Sequence, residues 1–529
     1  MENDVIFYNA NILTQDVARP NVEAILVAQQ KIVAVGSNVD ILALKNAATT
    51  LHDLQGMTLL PGFNDAHIHI WKVGNLLTYM LDVRGVASIA ELKKQLTAFA
   101  KTKQKGEWIM ARGFNEILFS DEKRLPNCTD LDEALPDHPL CLIRTCAHIT
   151  VANTAAMTVA GINTKTKVPD GGEIRLDNHG QLLGIFSETA QGLIQGKIPE
   201  YTAAQYENMI EAAQMALLRA GITSATDPAV MPDLLAVYKD MEKRGKLKIR
   251  INAVPVMLPD GGLKPLPLPK HYQSDFLNIN TVKFFSDGGL SGKTAALLGH
   301  YKNDDYQGVL RLEKRFFYDL ALKAQQKGFK IATHAIGDAA MELVTEVYEM
   351  LQKDNTLLLR HRIEHVGLPN AKHLQRMLEC GTHAVSQPIF IHELGPNFRS
   401  SLDEDYLKVC YPYRSILDKG ITLSFSSDAP VVKDFSPLMG IQNAVRREDR
   451  EGIILSENEK ISIEEAVHCY TVAAADANDD LLNRGTISSG KWADFVVLNC
   501  NILPENTATI KDIEIAHTIV GGEIIDFQK

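Results

Sequence analysis

From about residue 200 the chain keeps one cadence: a stretch with helical spacing of apolar residues ends at a glycine, and a short β-rich run follows. Residues 202–220 end at Gly221 and feed Ile222-Thr-Ser-Ala-Thr-Asp227; residues 230–244 end at Gly245 and feed Lys248-Ile-Arg-Ile-Asn-Ala-Val254. The same unit predicts strands over 281–286, 330–334, 360–365, 382–387 and 421–427, the last three separated by helical stretches ending at Gly381 and Gly420. The run leading into His67 makes eight. Eight parallel strands alternating with helices predict an α/β fold, a (β/α)8 TIM barrel with its chemistry at the carboxyl ends of the strands; a doubly wound open sheet is the alternative.

Two regions depart from the cadence. Residues 1–58 and 485–529 read as short strands and turns, such as Ala24-Ile-Leu-Val27 and Asp494-Phe-Val-Val-Leu498, and are expected to form one small composite β-sandwich domain. The barrel is then expected over 59–70 plus 201–484. Residues 71–200, far longer than an ordinary strand-to-helix connection, are expected to form an insertion that covers the active site, with a helix announced by the capping box Ser88-Ile-Ala-Glu91.

Charge narrows the partners. Lys plus Arg number 54 against 65 Asp plus Glu, and a net charge of −11 opposes binding to nucleic acid. The start, Met-Glu-Asn-Asp-Val-Ile, has no basic and apolar leader pattern and no apolar run reaches about 18 residues, so no membrane association and a cytoplasmic location are expected. Seven scattered cysteines without a Cys-x-x-Cys pair argue against a disulfide framework and a thiolate zinc site. A bound metal would therefore be held by nitrogen and oxygen.

His67 and His69 in Leu60-Pro-Gly-Phe-Asn-Asp-Ala-His-Ile-His-Ile70 supply the nitrogen. On an extended strand residues i and i+2 share a face, so two imidazoles can close on one ion; alone, such a pair more often contains a histidine packed or hydrogen-bonded in a core. Their company decides. Lys283, His334, His365 and Asp428 stand at or near the ends of four further expected strands, which puts four imidazoles, one amine and one carboxylate on one rim.

This set on successive strands resembles the amidohydrolase superfamily. Phe63-Asn-Asp-Ala-His-Ile-His, Val282-Lys-Phe-Phe-Ser-Asp-Gly-Gly-Leu, Thr333-His-Ala-Ile-Gly-Asp-Ala-Ala, Arg362-Ile-Glu-His and Ser427-Asp-Ala-Pro-Val are similar to its YtcJ-like, amidohydrolase-3 branch, which includes N-substituted formamide deformylases. Landmarks of the insertion, Glu107-Trp-Ile, Ala147-His-Ile-Thr-Val-Ala-Asn153 and Gly171-Gly-Glu-Ile, match as well. The chain departs at Cys146-Ala147, where the family usually has Asp-Gly, at Lys293, where arginine is common, and at Gly289, which replaces a serine; these bear on substrate choice and leave the metal set intact.

The resemblance implies that His67, His69 and a carboxylated Lys283 hold one Zn²⁺, and that Lys283, His334 and His365 hold a second, with Lys283 bridging. A single ion with an unmodified lysine is the alternative, and iron, manganese or nickel would accept the same ligands. Burial lowers a lysine pKa, and a neutral amine can take up CO₂ as an anionic carbamate. The implied reaction is hydrolysis of a non-peptide C–N bond, in an amide, N-substituted formamide or cyclic amide, by metal-activated hydroxide with Asp428 as proton shuttle. His148, Trp71 and Phe390 are expected to meet the small-molecule substrate, with Trp108 and Phe119 as further aromatic candidates. A cyclic amidine deaminase releasing ammonia, and a non-catalytic regulatory metalloprotein, are the competing readings. A homodimer is compatible with all three.

Overall fold

The computed structural model describes residues 4–145, 149–169, 172–260, 262, 264–354, 356–502 and 507–527. It divides into two compact units, residues 1–70 with 213–529, and residues 71–212.

The first unit carries the predicted strands: β1 (Phe63–Asp65), β2 (Ile222–Val230), β3 (Arg250–Pro255), β4 (Thr281–Phe285), β5 (Lys330–Ala335), β6 (Arg362–His365), β7 (His383–Ser386) and β8 (Leu423–Phe425). All their ladders are parallel, β1 to β2 to β3 in one sheet and β4 through β8 in order in another. Nearly every residue in them is buried, as expected of strands covered on both faces. Leu277–Ile279 pairs with β3, and one residue later the chain enters β4 in the other sheet. An isolated bridge, Val256 to Lys283, spans that change, and Ala66 N donates to Phe425 O at 3.2 Å between the ends of β1 and β8. No continuous ladder joins β1 to β8 among the described residues; the arrangement is TIM-barrel-like, with isolated backbone bonds in place of a ladder at its two seams.

Helices Ala203–Arg219 and Pro232–Lys243 stand where the periodicity predicts them. Gly221 ends the first at φ +73°, and a Cβ there would lie 2.6 Å from a Val496 methyl, so conformation and packing both demand glycine.

The terminal segments contribute a four-stranded sheet and a six-stranded sheet. The six-stranded sheet mixes both ends of the chain, with Phe495–Leu498 antiparallel to Thr58–Pro61. One apolar cluster holds Phe7, Ile12, Ile25 and Leu59 together with Phe495, Val497 and Ile519.

The second unit is built on a six-stranded mixed sheet over a core that includes Leu92, Leu96, Phe114, Phe119 and Leu142. Its helix Ile89–Ala100 starts at Ser88, whose side chain accepts from Glu91 N. The reciprocal half of the expected capping box is displaced: the Glu91 carboxylate accepts from Ala87 N at 2.9 Å, one residue before the cap, because the exposed side chain reaches past it. No helix among the described residues is long and apolar enough to cross a membrane.

Candidate metal centre

His67 and His69 do not lie on an extended strand. β1 ends at Asp65, and both histidines belong to the loop beyond it, which bonds β8 while Ile68 N still donates to Thr226 O of β2 at 2.9 Å. Asp65 ties that loop to the residues after β8: its carboxylate accepts from His67 N (3.1 Å), Ser427 N (3.2 Å) and Ser427 Oγ (2.6 Å). Asp428 N donates to His67 O at 2.8 Å, and His69 N to Ala429 O at 2.9 Å. Two loops zipped by their backbones, not strand alternation, therefore bring the histidines to Asp428. His67 Nε2 and His69 Nε2 each lie 3.4 Å from Asp428 Oδ1.

The remaining imidazoles complete an arc. Ring centroids are 5.7 Å apart for His69 and His67, 5.0 Å for His67 and His365, and 4.4 Å for His365 and His334. His334 is the fifth residue of β5 and His365 the last of β6. Strict alternation would send His365 to the face opposite that of its neighbour Glu364; at φ +76°, with Val366 at +50°, the backbone turns instead and both side chains reach His67. Asp428 also has a positive φ, +56°. Such conformations are costly for residues other than glycine and persist where the surroundings over-determine them.

Three side chains, His67, His365 and Asp428, each offer a ligand atom within 4.8 Å of the other two, and all three are buried. Asp428, expected as a proton carrier, thus stands at ligand distance. Lys283, mid-strand in β4, is 1% exposed, and its Nζ has no hydrogen-bond partner among the described residues. Its charge acts on His67, His334 and His365 alike.

Hydrogen bonds set which ring nitrogen remains available. His67 Nδ1 is bound to Glu364 Oε2 and His365 Nδ1 to Gln387 Oε1 (2.8 Å), which leaves Nε2 of each toward the cluster. His334 Nε2 donates to Gly288 O at 3.1 Å, leaving its Nδ1. Burial pushes His365 down to about 4 and His334 well below the usual imidazole range, so both rings are neutral at pH 7. Burial also lowers Lys283, to about 8. Burial opposes a charged Asp428, yet the imidazoles of His67, His69 and His365 hold its carboxyl well below the usual range. At His67 burial is outweighed by the Glu364 carboxylate, which raises the pKa; a carboxylate that favours a proton on that ring favours a metal cation there for the same electrostatic reason. The neutral imidazoles of His334 and His365 and the ionised carboxylate of Asp428 fit a divalent cation, and Lys283 fits it once its amine is neutral or carboxylated.

The sequence reading did not foresee Glu364, Asp65 or Gln387 as contributors. Glu364 had a signal: Arg362 and Glu364 at i and i+2 of a strand buried on both faces must pair internally, and Arg362 Nε donates to Glu364 Oε1 at 2.6 Å. Of the expected substrate contacts, Phe390 is buried, its ring parallel to that of His365 at 6.2 Å. Trp71 packs edge-on against Tyr206 (5.6 Å) and Tyr201 (6.3 Å) of its own unit. Phe119 and Trp108 belong to apolar clusters of that unit. His148, with Cys146 and Ala147, lies outside the described residues.

The Amidohydrolase family model matches residues 50–526. YtcJ of Bacillus subtilis is 29% identical over 482 residues, which span 89% of each chain. An N-substituted formamide deformylase of Arthrobacter pascens is 26% identical over 533 residues, covering 98% of this chain and 97% of the other. An uncharacterized metal-dependent hydrolase of Pyrococcus horikoshii superposes with a TM-score of 0.79 at 25% identity, over 96% and 99% of the two chains. The chain belongs to the amidohydrolase family and is a metal-dependent hydrolytic enzyme acting on carbon–nitrogen bonds.

Proposed function

We propose that the enzyme hydrolyses the C–N bond of a small amide, N-substituted formamide or cyclic amide, with Asp428 as its proton carrier. The observation that carries this reading is the buried grouping of His67, His365 and Asp428, with ligand atoms within 4.8 Å, in a chain related to a formamide deformylase.

Zn²⁺ suits the donors: His67, His69 and Lys283 would hold one ion, and Lys283, His334 and His365 a second. When bound, it supplies a water acidic enough to act as nucleophile near neutral pH and an electrophile for the substrate carbonyl. Lys283 would contribute to both ions once carboxylated, its neutral amine forming a bond to the carbon of CO₂ and releasing one proton. Asp428, ionised in the resting protein, accepts the proton of the attacking water and returns it to the departing nitrogen, so that the amine leaves neutral. Phe390, fixed beside His365, is the apolar wall proposed for the substrate.

Metal analysis of the purified protein, paired with a panel of amides, N-substituted formamides and cyclic amides, tests this. Bound divalent metal with release of a carboxylate and an amine is expected. Ammonia release from cyclic amidines instead would assign a deaminase, and a metal-loaded protein inert to the whole panel would return the regulatory reading.

A further inference from the structure

Past the last barrel strands, the segment after helix Val472–Ala477 places one side chain among several of them. Asn478 Oδ1 accepts from Asn252 Nδ2 of β3 at 2.8 Å and from Arg362 Nη1 of β6 at 3.0 Å. Its Nδ2 donates to Thr226 Oγ1 of β2 at 3.0 Å. Asn280 Nδ2, at the entry to β4, donates to the Asn478 carbonyl at 3.3 Å, and Lys330 Nζ of β5 donates to the Ala477 carbonyl at 2.7 Å. Asn478 is buried, and its two side-chain atoms tie together three strands that are remote in sequence.

The contact with Arg362 opens a path to the metal centre. The same guanidinium donates through Nε to Glu364 Oε1 (2.6 Å) and through Nη2 to Glu364 Oε2 (3.2 Å) and Ala66 O (2.6 Å). Glu364 Oε2 holds His67 Nδ1. Asn478, Arg362, Glu364 and His67 therefore form one unbroken, buried run of hydrogen bonds. A guanidinium is a planar fork whose donors move together, so its three anchors jointly fix its orientation, and through it the carboxylate that orients the imidazole. Without the Asn478 oxygen, a charged N–H is left bare in a buried setting, and the fork must turn toward other acceptors. That turn displaces Glu364.

We propose that Asn478 is a positioning residue for the metal centre, acting through Arg362 and Glu364 on the aim of the His67 ring. This rests on the reading of His67 as a metal ligand. Loss of an outer partner of a metal-binding histidine typically weakens metal binding about 10- to 100-fold.

The test uses full-length protein stripped of metal and titrated with cobalt(II), whose absorption reports ligand geometry independently of turnover. Asn478→Leu is expected to weaken cobalt binding about tenfold and to change the cobalt spectrum, as does Glu364→Gln. Turnover should fall with KM little changed. Asn478→Ser, which keeps a small polar side chain too short to reach Arg362, serves if the leucine variant fails to fold, with the same expectation. Asn280→Ala, which removes the donor to the Asn478 backbone and the acceptor of Thr281 Oγ1 but leaves the Asn478 side chain its partners, should lower the melting temperature without altering the cobalt spectrum. Cobalt binding at wild-type strength and spectrum in the folded Asn478 variants, with Glu364→Gln impaired, would overturn the proposal. An equal loss in Asn280→Ala would overturn it too, because the effect would then be general loosening. Failure of the wild-type protein to bind cobalt would instead remove the metal reading beneath it.

Discussion

Lys283 and Lys330 stand on neighbouring parallel strands, two residues apart in register, since Lys330 pairs with Thr281 and Lys283 with Ala332. Both are 1% exposed, and burial lowers both to about 8. Their surroundings differ. Lys330 Nζ donates to the Ala477 carbonyl at 2.7 Å and meets the Asp479 carboxylate at 2.8 Å. Lys283 Nζ has no hydrogen-bond partner among the described residues and faces imidazoles and Phe285, whose ring centre is 5.2 Å away. Burial and a depressed pKa do not by themselves mark a functional lysine. The partnered amine is a structural tie, whereas the unpartnered one carries a desolvation cost that the Glu364 and Asp428 carboxylates offset only in part.

Substitution separates the two most sharply. Lys283→Ala should lose bound metal and cut turnover about ten-thousandfold, the scale of losing several kcal/mol of charge stabilisation. Retention of metal with near-normal turnover would break the distinction. Asp428→Asn sharpens it from the other side of the cluster: metal content should persist while turnover falls about a thousandfold, as for loss of a positioned proton carrier. Comparable turnover in that variant would remove Asp428 from the reaction.

Two further measurements exploit the shared pKa of about 8. If neutral Lys283 takes up CO₂, protein stripped of metal and CO₂ should recover activity, on adding zinc at a fixed concentration of dissolved CO₂, roughly tenfold faster at pH 7 than at pH 6, because the neutral fraction grows about tenfold per unit below the pKa. A rate independent of pH would count against carboxylation. Lys330→Met should keep its metal but lose about 1–3 kcal/mol of stability, the cost of leaving the Ala477 carbonyl unpaired.

The smallest effect concerns stability against pH. The folded pKa of Lys330 is about 8 and the ordinary value 10.5, so between these the unfolded chain binds more protons and stability rises with pH. Lys330→Met should flatten that rise in thermal melts; an unchanged slope would show that Lys330 does not titrate there.

The eight strands were legible because parallel strands covered on both faces are unbroken apolar runs, and because glycine-ended helices punctuate them. Six lie within two residues of their expected ends, β1 stops at Asp65, short of the two histidines expected on it, and β2 runs on three residues further, to Val230, because Asp227 to Val230 stay paired with β3. The site was legible only in part. The strand alternation expected to pair His67 with His69 is not what the fold uses, since both lie past the strand, His67 N held by Asp65 and His69 N by Ala429 O. Residues 65 and 427 are 362 apart in the chain, and no local pattern couples them.

What the sequence by itself determined is the succession of strands and helices and the chemical identity of the six rim residues, because hydrophobic period, helix punctuation and side-chain chemistry are local properties. Only the tertiary structure decided which polar groups are satisfied. It paired Lys330 and left Lys283 bare, turned His365 back toward His67, and set Asn478 against Arg362 across 116 residues. Hydrogen bonding and burial depend on which distant segments meet, and in a barrel-like fold every interior contact is made between strands that are far apart along the chain.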